Sequence, residues 1–197
     1  MSQIVVFHSA LGLRPAIAQF ADRLRDHGHL VHTPDLFAGN VFDDLEAGVA
    51  YRDQVGIPAL LERAHTAIAG LPQQLVYLGF SMGTGPAQLL AATRPGARGA
   101  VLIQGALELE ALGLDRWPAH VPIQLHVAAD DPWFDRASAH KVTEAIPAEL
   151  LDHHEYPTGA HLFADPDWHE HDPTATTEML DAITTWLDNV DLPAPAR

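Results

Sequence analysis

Six short apolar runs, at residues 4–8, 30–33, 75–79, 100–104, 123–128 and 150–156, do most to limit what this chain can fold into. Four of them are continuous rather than alternating, as expected for strands covered on both faces of a parallel sheet. Between and after them lie segments of helical period at 14–27, 57–69, 83–93, 135–145 and 174–187. In the first segment Ile17, Phe20, Ala21 and Leu24 recur at helical spacing and define one buried stripe, which Gly28 terminates. Pro58 near the start of the second suits a first helical turn. Strands alternating with helices predict an α/β layer architecture with a mostly parallel sheet and helices on both faces.

At 197 residues the chain is the size of one domain, and such a domain buries roughly 70% of its extended surface without needing a disulfide. It has no Cys, which excludes a thiolate nucleophile and Cys-ligated zinc or iron–sulfur centres. With 26 acidic against 11 basic residues the formal charge is −15, a poor match for nucleic acid or an anionic membrane surface. Met1-Ser2-Gln3 runs directly into Ile4-Val5-Val6-Phe7 with no basic n-region, so a cytoplasmic location is expected. Residues 1–190 are expected to form the domain and 191–197, with Pro193 and Pro195, a frayed tail. The stretch 37–54 is the least regular and reads either as a solvated loop with at most a short helix or as a flap beside a site.

The strongest local signal is Gly79-Phe80-Ser81-Met82-Gly83. A strand precedes it and a helix follows it, the setting in which a G-x-S-x-G serine becomes a nucleophile. Small flanking residues let the chain turn sharply, and the helix N-terminus behind the serine, with the Met82 N–H, favours a developing oxyanion. The plainer reading is a glycine-rich turn with an incidental serine, which the strand and helix context disfavours.

A serine hydroxyl needs a base to take its proton. Among 13 histidines, His161 stands in Gly159-Ala160-His161-Leu162-Phe163, after the last strand and before the final helix, where a loop can reach back to Ser81. The order Ser, acid, His calls for a carboxylate after the penultimate strand, and Ala129-Asp130-Asp131-Pro132 supplies two. Asp131 is preferred to Asp130, being deeper in the turn and directly before Pro132, which holds it extended.

Taken together, these blocks resemble the dienelactone hydrolase family of α/β-hydrolases over nearly the whole chain. The resemblance is carried by Ile4 to Gly12, by Gly28 to Gly39 with its Pro34-Asp35-Leu36-Phe37-Ala38-Gly39 block, by the serine turn, by Ala129 to Pro132, and by Gly159 to Phe163. It implies a single-domain, lidless α/β-hydrolase of the serine-nucleophile branch, with Ser81, Asp131 and His161 as the triad. It also implies a second oxyanion donor at the Ala10 N–H. The sequence departs from the family at three places. Ser81 replaces the cysteine of dienelactone-cleaving members, Ser9 replaces an acidic residue of the first loop, and Asp165 replaces an arginine that binds the substrate carboxylate. A carboxylate there repels an anionic lactone, so a neutral ester, lactone or thioester is expected.

Leu11, Phe37, Trp133 and Leu162 are the candidate pocket-lining residues. No cofactor or metal is expected, and the partners are an ester-type small molecule and water, with the chain a monomer or weak homodimer. Two rival readings remain. One is a non-catalytic binding or regulatory protein on the same scaffold. The other is a metal enzyme built on His153, His154, His161, His169, Glu170, His171 and Asp172, a set more simply read as an acidic, histidine-rich surface loop.

Overall fold

The computed structural model describes residues 1–190; the tail expected at 191–197 lies outside them. Six parallel strands, β1 (Gln3–Phe7), β2 (Leu30–His32), β3 (Val76–Phe80), β4 (Gly99–Ile103), β5 (Ile123–Ala128) and β6 (Leu151–Tyr156), form one sheet in the order β2-β1-β3-β4-β5-β6. Every residue of β3, β4 and β5 is buried, which accounts for their unbroken apolar runs.

Six helices cover the sheet: α1 (Pro15–Asp26), α2 (Leu45–Val55), α3 (Ile57–Ile68), α4 (Thr84–Thr93), α5 (Arg136–Ala145) and α6 (Pro173–Val190). α1 and α6 pack on one face, where Phe20 and Leu24 meet Met179 and Ile183 over Val6, Leu78 and Val101. α3, α4 and α5 pack on the other, where Leu60, Leu90 and Val142 close over Val5, Tyr77 and Leu125. The two faces follow from the topology. The chain steps outward from β1 to β2 and then resumes at β3 on the opposite side of β1, so right-handed crossovers put α1 on one face and α3, α4 and α5 on the other. α6, after the last strand, packs beside α1. The reversal makes the carboxyl ends of β1 and β3 a topological switch point, where α/β sheets hold their ligands.

The stretch 37–54 is more ordered than the sequence suggests. Asp44 caps α2 by accepting from the Ala47 N–H at 2.7 Å. Only Leu45 and Gly48 of α2 are buried, so no apolar stripe announces the helix. It is held by its seat on the loop after β1: Gly48 lies against the Ala10 carbonyl so closely that a Cβ would overlap it. No helix among the described residues is long and apolar enough to cross a membrane.

Candidate active site

Ser81 follows β3 directly, in a single 3₁₀ turn (Ser81–Gly83) that runs into α4. Its φ is +49°, a left-handed conformation that costs a non-glycine residue about 1–3 kcal/mol and has to be held by its surroundings. Three contacts hold it. The Thr84 hydroxyl donates to the Ser81 carbonyl at 2.6 Å. A Cβ at Gly79 would overlap the Gly83 carbonyl, and one at Gly83 would overlap the main-chain oxygens of Phe7 and His8. The two glycines let the turn close on itself and lie flat against the end of β1.

The long-range partners converge on this turn. Ser81 Oγ donates to His161 Nε2 at 2.7 Å, and His161 Nδ1 donates to Asp131 Oδ2 at 2.6 Å. Asp131 and His161 are both buried, whereas the alternative Asp130 is exposed. The N-terminus of the 3₁₀–α4 unit leaves the Met82 N–H without an intrahelical acceptor and directed to the same end of the helix as Ser81. Ala10 is buried, and its amide makes no hydrogen bond among the described residues.

A cavity of about 310 Å³ opens onto Ser81 and His161. Of the candidate pocket-lining residues Trp133 lines it, whereas Leu11, Phe37 and Leu162 do not; Met82, the candidate oxyanion donor, also lines it. Leu11 is fully buried in a small cluster with Leu45 and Leu162, and its N–H is taken by Ser9 Oγ at 3.2 Å. Phe37 is a core residue, edge-on to His8 and Tyr51 at 5.0 Å from each. Its neighbour Leu36 reaches the cavity instead. The direction of each side chain along a connecting segment, which the sequence alone does not give, decides these three cases.

His8 has a structural part that its place in the first loop does not reveal. Its Nδ1–H donates to the Ser9 carbonyl at 2.7 Å, and its Nε2 accepts the Leu36 N–H at 3.0 Å. Only the neutral ring can serve both, and burial lowers its pKa accordingly.

Gln104 lines the cavity although no motif in the sequence marks it. It stands just past β4 with φ +58° and is buried. Its Nε2 donates to the Ala160 carbonyl at 3.1 Å, beside His161, while its Oε1 has no partner among the described residues. The available signal was a polar residue at the carboxyl end of an apolar strand, where α/β sheets place their ligands.

A family model described as the dienelactone hydrolase family matches residues 1–190. The chain belongs to that family. It is a hydrolase with the α/β-hydrolase fold. Among solved structures it is similar to a dienelactone hydrolase-like promiscuous phosphotriesterase from metagenomic libraries, at 22% identity and TM-score 0.77 over 96% of this chain and 87% of that one. A dienelactone hydrolase from Anabaena variabilis matches at 22% identity and TM-score 0.67 over 95% and 86% of the two chains. A thermophilic esterase from Thermogutta terrifontis matches at 18% identity and TM-score 0.66 over 100% and 86%. A search of curated proteins finds no match.

Within the family, the departure at Asp165 reads differently once placed. The residue lines a small separate cavity with Phe20 and Leu162 rather than the one that opens onto Ser81. Burial raises its pKa, and Arg14 lies 3.8 Å away. The charged side chains lining the main cavity are Arg52 and Asp135, so repulsion by Asp165 is not what sets the charge of that cavity. The histidine-rich set is dispersed: His153 and His154 lie on β6, and His154 is 3.0 Å from Asp152, while His161 is engaged with Asp131. No group of three or more His, Asp or Glu among the described residues is arranged to hold a metal ion.

Proposed function

We propose that the chain is a serine hydrolase that cleaves a small neutral ester, lactone or thioester through an acyl-enzyme. The observation that carries this reading is the unbroken chain of short hydrogen bonds from Ser81 through His161 to Asp131 beside an open cavity. His161 Nε2 takes the Ser81 proton as Oγ attacks the carbonyl carbon. Asp131 holds the ring in the tautomer with Nδ1–H and stabilises the imidazolium. The amides of Met82 and Ala10 receive the oxyanion, each donor worth about 3 kcal/mol of barrier. His161 then gives its proton to the leaving group, and water repeats the sequence on the acyl-enzyme.

Neutrality of the substrate is supported by the walls, which are mainly aliphatic. Both lining charges are engaged locally: Arg52 with Asp53 at 2.8 Å, and Asp135 with the amides of Ala137 and Ser138 at the start of α5.

The test is a screen of short-chain aryl esters, lactones and acyl-thioesters with Ser81→Ala as control, together with a fluorophosphonate probe. Turnover lost in Ser81→Ala and covalent labelling of Ser81 are the expected results. Full turnover in Ser81→Ala overturns the mechanism, and an unlabelled Ser81 with no turnover indicates a binding protein on this scaffold.

A further inference from the structure

We propose that the cavity holds the acyl part of the ester as an apolar chain, with the alcohol part towards His161; this rests on Ser81 being the nucleophile. Six large apolar side chains are exposed among the described residues, and three of them, Ile57, Leu107 and Trp133, ring this one opening. On a surface as acidic as this one, an apolar rim gathered at a single mouth marks the entry of an apolar group. Leu36, Leu61 and Leu112 also line the cavity, and the volume of about 310 Å³ is that of a small-ligand pocket.

The direction of the chain follows from where the proton must go. His161 protonates the leaving oxygen, so the alcohol lies on the His161 side of Ser81. That side carries Trp133, whose ring centre is 6.3 Å from the His161 ring. His161 follows β6 and Asp131 follows β5, towards one edge of the sheet. Leu36 follows β2 at the other edge, and Ile57 and Leu61 belong to α3, which precedes β3. The acyl chain leaves Ser81 in that direction and lies along Leu36 and α3.

The isomers ethyl hexanoate and hexyl acetate separate the two directions. The expected result is at least a tenfold higher kcat/KM for ethyl hexanoate. From p-nitrophenyl acetate through butanoate to hexanoate, kcat/KM should rise about threefold per methylene as each is withdrawn from water. Ile57→Asp puts an acid in the first turn of α3, which a helix tolerates. It should cut the preference for hexanoate over acetate by about tenfold. Equal or reversed rates for the two isomers, in protein whose Ser81 is labelled by a fluorophosphonate, overturn the acyl assignment alone. Failure of Ser81 to label overturns the nucleophile and this proposal with it.

Discussion

Trp133 donates its main-chain N–H to Asp131 Oδ1 at 2.8 Å, which leaves Oδ2 of the same carboxylate for His161 at 2.6 Å. The two oxygens therefore have separate duties, one fixing the carboxylate to its own turn and the other orienting the imidazole.

This division makes Asp131→Asn an informative variant. The amide oxygen will take the Trp133 N–H, so the NH₂ faces His161 Nδ1. That ring nitrogen must then become the acceptor, the proton moves to Nε2, and Ser81 loses its base. The expected loss in kcat is about 10³- to 10⁴-fold, with thermal stability little changed. Ester turnover and a melting curve on the same preparation check it. A variant keeping a tenth of the activity would show that the tautomer is not set by this contact.

Gly83 and Gly70 test how far packing at the serine turn limits the chain. Gly83→Ala drives a methyl into the oxygens of Phe7 and His8, both main-chain atoms that cannot rotate away. The expected cost is about 3 kcal/mol. In a chain of this size that lowers Tm by roughly 6–12 °C. Gly70, just after α3, has open space where a Cβ would go, and Gly70→Ala should stay within about 0.5 kcal/mol of wild type. Similar melting points for the two variants would mean that the turn relaxes without penalty.

Much of this architecture is legible because its signals are local. The strands are read correctly where both faces are covered, since burial on both sides writes an unbroken apolar run, as in Val76 to Phe80. Helices with a stripe, such as α1, are equally plain. α2 is not, because its place is set by one close contact at Gly48 and not by an apolar face. The same holds at the site. Ser81, Asp131 and His161 stand in motifs, whereas Phe37 and Leu36 are adjacent residues of which only the backbone direction says which faces the cavity.

Stability should fall as the solution is acidified below pH 6.5, through His126. Its ring is fully buried, with Nδ1 2.8 Å from the Tyr156 hydroxyl, and is stacked on His154 at 5.0 Å. Burial first, then the neighbouring His154 and His153, hold its pKa well below 6.5. The unfolded chain therefore binds a proton that the folded chain refuses. Stability is complete above pH 6.5 and is lost as pH falls from there towards the folded pKa, by up to ~1.4 kcal/mol per pH unit. His8 has the same sign, and Asp165, raised by burial, the opposite one at lower pH. Urea midpoints at pH 7.5 and 5.5 should differ in wild type and differ less in His126→Gln. An equal pH dependence in the two proteins would remove His126 as the cause.

Gln104 joins the strand end behind Ser81 to the loop that carries His161. Its main-chain N–H donates to the His126 carbonyl at 2.8 Å, and its side chain holds the Ala160 carbonyl. Gly105 beside it packs so close to Ser81 and Thr84 that a Cβ there would overlap the Thr84 hydroxyl. A residue that accepts φ +58° and a buried, unpaired oxygen is poorly explained by stability alone. Gln104→Leu keeps the size of the side chain and removes both the Ala160 bond and the unpaired oxygen. The two changes oppose each other in stability, so Tm should move by less than about 3 °C. The His161 loop loses its tether, and a small misplacement of the base is costly, so kcat should fall about tenfold while KM holds. A fall in Tm without a fall in kcat would reduce Gln104 to a packing residue, and a fall in kcat alone would establish it as the residue that positions His161.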